Sequence, residues 1–173
     1  MVRMKAVIVC VSVSHGNTRR VADSMAEVLE ARVVTPEEAD VGEVGEADIV
    51  GFGSGVFYGR LHPRLTGFVR SLPGVSAPPG GERRGAFVFA TSGLPELSLV
   101  FSYARPLSQL LQGKGFEVEA TFSCRALDTW APFKPLGGLH KHRPNAADIA
   151  AARAFAGELG RRRAGAGARA PWA

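Results

Sequence analysis

The most constraining feature of this chain is the run Ala6–Val11, apolar at every position, which leads through Ser12 and Val13 into Ser14-His15-Gly16-Asn17-Thr18. A strand with one wet face alternates apolar and polar residues. A strand that is apolar throughout is buried on both faces, as in a parallel sheet covered by helices on each side. The polar turn then opens a helix, because Val21, Met25, Val28 and Leu29 recur at i, i+4, i+7 and i+8. Asn17 or Thr18 is the expected N-cap. Arg3 and Lys5 give the run a passing likeness to a signal peptide. No small-residue cleavage pattern follows, and no apolar run nears the ~20 residues of a membrane helix.

The strand-then-helix unit recurs along the chain. Arg32–Val34 reads as a short second strand, and Pro36–Asp48 as an acidic surface connection. Ile49–Phe52 is a third strand ending in Gly53-Ser54-Gly55. Pro63 suits the first turn of a helix whose inward face is Leu65, Phe68, Val69 and Leu72. After a Pro/Gly loop, Ala86–Ala90 is a fourth strand. Pro106 opens a helix with Leu107, Leu110 and Leu111 inward and Gly113 past its end. Phe116, Val118, Ala120 and Phe122 alternate with polar residues, the pattern of a half-exposed edge strand. Cys124–Pro144 has no clear period, yet it contains Trp130, Phe133 and Leu136. Asn145, with Asp148 three residues on, caps a last helix that buries Ile149, Ala152, Phe155, Ala156 and Leu159 and ends at Gly160. Five such units predict one α/β domain over residues 1–160: a five-stranded, doubly wound parallel sheet with strand order 2-1-3-4-5. Residues 161–173, rich in Arg, Ala and Gly, read as a disordered tail.

Charge narrows the function. The net charge is +5, but from Gly160 onward the chain carries four arginines and no acid. The rest is close to neutral, and no aromatic residues interleave with basic ones as base-stacking would require. Nucleic acid is therefore not an expected partner. Two cysteines, Cys10 and Cys124, without a CxxC or metal-ligand spacing, suit a reducing compartment such as the cytoplasm. His140, His142 and His62 lack a carboxylate or thiolate to complete a metal set, so no metal is expected.

Sheets of this kind bind ligands at the carboxyl ends of their strands, where the strand order reverses. Three segments meet there: Ser12–Thr18, Gly53–His62 and Thr91–Ser98. The first combines hydroxyls, a glycine and the N–H groups of a helix start, which together suit a phosphate. On its own it serves equally as an ordinary capped helix start. It carries no carboxylate for a Mg²⁺-dependent phosphoryl-transfer site. It also lacks the GK[ST] of a nucleotide-triphosphate loop, the Cys-x5-Arg of a small phosphatase and the GxGxxG of a dinucleotide fold. Gly51-x-Gly53-x-Gly55 lies instead on the third strand.

Ser14-His15-Gly16-Asn17-Thr18 resembles the [ST]-x-G-N-T flavin mononucleotide (FMN) phosphate loop of the flavodoxin-like family. The stretch from Gly53 to Pro63 is similar to that family's flavin loop after strand three. Thr91-Ser92-Gly93 is similar to the loop after strand four. Phe122-Ser123-Cys124, Asp128-Thr129, Gly137-Gly138 and Arg143-Pro144-Asn145 look like one subgroup. The likeness spans residues 5 to about 159. It implies one non-covalent FMN, held by Ser14, His15, Gly16, Asn17 and Thr18 at its phosphate. Ser54, Gly55, Val56, Phe57, Tyr58, Gly59, Thr91, Ser92 and Gly93 would lie around its ring, with Phe57 or Tyr58 stacked on it. The implied function is electron transfer, or reduction of a small acceptor such as a quinone, with a separate reductase as partner. Two alternatives are a dedicated oxidoreductase like the family's protoporphyrinogen-oxidising branch and a flavin-free interaction module of the same fold.

The core is less acidic than in the family's electron carriers, and Thr91–Ser98 has no aromatic. That side of the ring is then expected to be either open or covered by Trp130 or Phe133 of the long loop. Glu96 and Asp128 are candidate proton relays. Arg60, Arg64, Arg125, Lys134, Lys141 and Arg143 are expected to make a positive rim, which would favour negative charge on a reduced flavin.

Overall fold

The computed structural model of the protein describes residues 4–13, 16–92, 100–125 and 144–167. The order is β1 (Ala6–Val11), α1 (Asn17–Leu29), β2 (Arg32–Val34), α2 (Val41–Glu46), β3 (Ile49–Phe57), β4 (Arg60–Leu61) and α3 (Pro63–Ser71). Then come β5 (Gly85–Ser92), α4 (Val100–Gly113), β6 (Glu117–Arg125) and α5 (Ala146–Gly167). The long strands form one sheet in the order β2-β1-β3-β5-β6, with β4 attached to β3 alone. All pairs on that path are parallel. The two-residue β4 shifts the numbering but leaves the predicted doubly wound order intact. The chain reverses direction across the sheet between β1 and β3.

Two cores fill the two faces. Val7, Val9, Phe52, Val88, Leu65, Leu107 and Leu111 lie on the side of α3 and α4. Ile8, Cys10, Phe87, Phe89, Met25, Ala152 and Leu159 lie on the side of α1 and α5. Consecutive strand residues point to opposite faces, so a strand apolar throughout contributes to both.

The glycines of β3 have a packing reason. Gly51 pairs with Phe87 and Gly53 with Phe89. A methyl group on Gly51 would lie 2.4 Å from the Phe87 ring, and one on Gly53 would lie 2.1 Å from the Phe89 ring. Both rings are fully buried, so neither can swing aside.

Several elements differ from the sequence expectation. The Pro36–Asp48 connection contains α2, started by the Asp40 side chain, which accepts from the Glu43 N–H at 2.8 Å. It buries only Val44, so it has no apolar stripe to announce it. Helix α4 starts at Val100 rather than Pro106, which sits inside it on an exposed face. Strand β6 is the predicted edge, but a register shift opposite Ala86/Phe87 breaks its alternation. Val118 therefore packs on the α3/α4 side, and Ala120 and Phe122 on the α1/α5 side. Helix α5 begins with the expected reciprocal cap: Asp148 N–H to Asn145 Oδ1 at 3.0 Å, Asn145 N–H to Asp148 Oδ2 at 2.9 Å. It passes Gly160 and runs to Gly167. Arg163 on this extension is nearly buried, bonded to the Glu119 carboxylate and donating to the Arg83 carbonyl at 2.8 Å. The extra turns are held by partners far away in sequence.

Gly53→Ala is expected to destabilise the fold by on the order of 1–3 kcal/mol through overpacking against Phe89. Adding Phe89→Leu should recover part of that loss, because the two sites share one contact. Thermal melts of both variants check this, and additive losses would show that the contact is not the cause.

Candidate functional site

The carboxyl ends of β1, β3 and β5 lie side by side, and α1 starts among them. Gly16 is the N-cap residue of α1, in the left-handed region at φ 67°, and as a glycine it makes no side-chain cap bond. Asn17 and Thr18, the expected caps, instead turn inward and are buried. Thr18 Oγ1 lies 2.7 Å from Thr91 Oγ1 at the end of β5. The N–H of Arg19 reaches Ser12 Oγ at 3.3 Å, and the N–H of Arg20 bonds back to the Gly16 carbonyl at 3.0 Å. No acid occupies the first turn. Arg19 and Arg20 stand there instead, where the helix dipole disfavours cations. Arg19 is steadied by Asp23, one turn on, at 2.8 Å. This helix start is arranged for negative charge.

Beside it, β3 and β4 form a hairpin. Phe57 pairs with Arg60 and Val56 with Leu61. The turn residues Tyr58 and Gly59 both have positive φ, 48° and 73°, the mark of a type I′ turn. For tyrosine that conformation costs ~1–2 kcal/mol, and the ring stands 88% exposed at the tip. Phe57 folds back over Gly55. A methyl group on Gly55 would lie 3.1 Å from the Phe57 ring and 3.8 Å from Thr18 Oγ1. The hairpin is tied down by Ser54, fully buried, whose hydroxyl accepts from the His62 N–H at 2.9 Å and donates to the Gly55 carbonyl at 2.8 Å.

His62 caps α3 through Nδ1, which accepts from the Arg64 N–H at 3.1 Å, and Pro63 follows at the first helical position as expected. Its ring stands edge-on to Phe57, with centroids 5.4 Å apart. Burial, and then the Arg64 charge, lower the imidazole pKa from its usual 6.5. Arg64 is gripped by Glu37 through two bonds of 2.8 and 2.6 Å. That bond is the main reason the Glu37 carboxyl falls to about 2. Arg64 is thus a paired charge and does not add freely to a positive rim. Arg60 is exposed.

Of the predicted site residues, Gly16, Asn17, Thr18, Ser54, Gly55, Val56, Phe57, Tyr58, Gly59, Thr91 and Ser92 converge on this end of the sheet. Ser14, His15 and Gly93 lie outside the described residues, as do Glu96, Asp128, Trp130, Phe133, Lys134, Lys141 and Arg143. Sequence reading did not single out Glu37, whose partner is 27 positions away, or the capping role of His62. The Ser-Gly-x-Phe pattern before the turn and His-Pro after it are the local signals for the latter. Cys10 is a core thiol pushed up to about 12 by burial, and Cys124 is buried at the end of β6. Among the described residues no group of His, Cys, Asp and Glu could hold a metal ion. No helix among them is long and apolar enough to cross a membrane.

A parallel sheet in this order, with its crevice between β1 and β3, defines the flavodoxin-like class of α/β proteins. Residues 8–74 match the family model described as Flavodoxin domain. An uncharacterised protein of Methanocaldococcus jannaschii, MJ0298, is 33% identical over 153 residues, spanning 88% of this chain and 96% of that one. Oxidised Flavodoxin 2 from Bacillus cereus superposes with a TM-score of 0.67 at 19% identity, covering 91% of this chain and 99% of that one. Rubredoxin oxygen:oxidoreductase from Desulfovibrio gigas gives a TM-score of 0.64 at 16% identity, covering 94% of this chain but 37% of the larger protein. The chain belongs to the flavodoxin-like family.

The Thr18–Thr91 contact makes a separable prediction. Thr18→Val leaves the buried Thr91 hydroxyl without its partner and should cost ~1–3 kcal/mol. Thr18→Val/Thr91→Val removes both hydroxyls at nearly constant shape and should be closer to wild type than the single variant. Chemical denaturation of the set checks this, and a double variant at the sum of the singles would refute the pairing.

Proposed function

We propose that the chain binds one FMN non-covalently at this end of the sheet and works as a redox protein, passing electrons or reducing a small acceptor such as a quinone. The observation that carries the reading is the start of α1: a left-handed glycine at the cap position, no acid in the first turn, and a position at the strand-order reversal. An anion there would take up N–H groups of the first helical turn, where among the described residues only Ser12 reaches one, that of Arg19. Gly16 in the left-handed region presents the backbone without a side chain in the way. The dianionic phosphate would also offset Arg19 and Arg20.

In this reading Ser14, His15, Gly16, Asn17 and Thr18 hold the phosphate. Ser54–Gly59 and Thr91-Ser92-Gly93 border the ring, and Tyr58, exposed at the hairpin tip, is the aromatic that lies against it. When bound, the flavin supplies the one- and two-electron chemistry. The protein's residues bind it, orient it and set the charge around it. With Arg64 neutralised by Glu37, Arg60 is the described cation on the hairpin. A flavodoxin and an oxygen reductase among the structural neighbours agree with a redox role, as do two buried cysteines outside any disulfide with a reducing compartment such as the cytoplasm. Electrons would come from a separate reductase.

Titrating the protein with FMN and with riboflavin tests the reading. One hydrogen bond to a charged group is worth ~1.5–3 kcal/mol, so riboflavin should bind at least about tenfold more weakly. Thr18→Ala should weaken FMN more than riboflavin, because it disturbs the helix start. Equal affinities would remove the phosphate site, and no binding of either would leave a flavin-free module. With flavin bound, NAD(P)H oxidation with and without an added reductase and a quinone separates carrier from enzyme.

A further inference from the structure

His62 occupies an unusual junction. Its N–H is tied to Ser54 on β3, its Nδ1 caps α3, and its ring meets Phe57 edge-on. Phe57 in turn covers Gly55 close to the Thr18 hydroxyl, so its position shapes the space at the strand ends. The imidazole therefore links the start of α3 to Phe57 of the hairpin, while the backbone N–H of the same residue ties it to Ser54.

The cap works in one protonation state. Nδ1 accepts from the Arg64 N–H, so it holds a lone pair and the neutral ring carries its proton on Nε2. Adding a proton at Nδ1 sets donor against donor, and the cap is lost. The charges that face the ring are Arg64 on α3 and Glu37 on the β2–α2 connection. On β3 the ring meets the uncharged Phe57, the backbone N–H meets the uncharged Ser54, and Arg60 on the preceding strand β4 is exposed. Arg64 opposes a charged imidazole. Glu37 favours one, but both its oxygens are engaged by Arg64.

We propose that His62 is a proton-sensitive positioning residue of this site. Neutral, it fixes Phe57 and the start of α3. Protonated, it releases the cap, and the Ser54–Gly59 hairpin loses its fixed hold on a bound flavin ring. This rests on the reading of the hairpin as a flavin loop. Because the imidazole pKa is lowered in the fold, the neutral ring stabilises the structure fully above the ordinary 6.5. That stabilisation is lost as pH falls through the lower folded value.

The first measurement needs no flavin. Side-chain NMR of the full chain from pH 8 to pH 5 should show the Phe57 ring and the Arg64 amide shifting with the same midpoint as His62. In His62→Asn, whose side-chain oxygen caps without titrating, those shifts should vanish. Phe57 and Arg64 signals that ignore a titrating His62, or that titrate unchanged in His62→Asn, would overturn the proposal. The second measurement is the FMN dissociation constant at pH 8 and pH 5 in both proteins. The phosphate ester has its own proton near pH 6, but it titrates in both and cancels in the ratio. On acidification the dissociation constant should rise about fivefold more in wild type than in His62→Asn, the worth of one ordinary hydrogen bond. An equal rise in the two proteins would reduce His62 to a structural cap. Failure to bind FMN at either pH would strike the flavin reading, while the NMR result would still decide the coupling.

Discussion

The stacking of Phe87 and Phe89 over Gly51 and Gly53 is the contact on which the site depends. It fixes how the two central strands lie against each other, and the register continues by two residues to Gly55 opposite Thr91. Each glycine of the Gly51-x-Gly53-x-Gly55 series gives up its side chain to a neighbour. The first two make room for aromatic rings that close the core. The third makes room for Phe57 near the Thr18 hydroxyl. Core packing and site geometry are thus one periodic arrangement along β3. A bulkier residue low on the strand would displace the elements that frame its upper end.

The start of α1 completes that frame. Most helices close their first turn with a side-chain cap. Here Thr18 spends its hydroxyl on Thr91 across the sheet, and the cap position falls to a glycine in the left-handed region. The other helix starts described as capped are satisfied locally, by Asp40, His62 and Asn145. The one with a glycine at its cap stands where the strand order reverses, the position at which sheets of this class hold ligands.

Much of this was legible in the sequence because the signals are local and periodic. Ala6–Val11 announces a central strand, Pro63 a helix start, and Asn145 with Asp148 a reciprocal cap. What stayed hidden depends on distant partners. Helix α2 buries only Val44, so its existence rests on the Asp40 cap more than on a stripe. The break in β6 turns Val118 and Ala120 to opposite faces although they sit two apart, and only the pairing with β5 reveals it. Helix α5 extends past Gly160 because Arg163 finds Glu119, and Arg64 loses its free charge because it finds Glu37. Neither pair has a spacing that sequence alone could announce. At the carboxyl ends of the strands, the loop motifs named residues that the fold brings together. The inward turn of Asn17 and Thr18 was not legible, since both are also good caps.

The two ends of the sheet offer a direct contrast. At the amino-terminal end, Glu82, Arg83, Glu117, Glu119, Arg162 and Arg163 surround an open cleft of about 420 Å³. Its most buried cation, Arg163, is already matched by carboxylates. At the carboxyl end the helix start has a glycine at its cap and no acid in its first turn. Backbone amide NMR of the full chain during FMN addition tests this placement most directly. The account predicts that the largest shifts fall on Gly16–Arg19, Gly55–Gly59 and Thr91–Ser92. Shifts centred on Glu82–Gly85 and Arg161–Arg163, or spread without a centre, would contradict it.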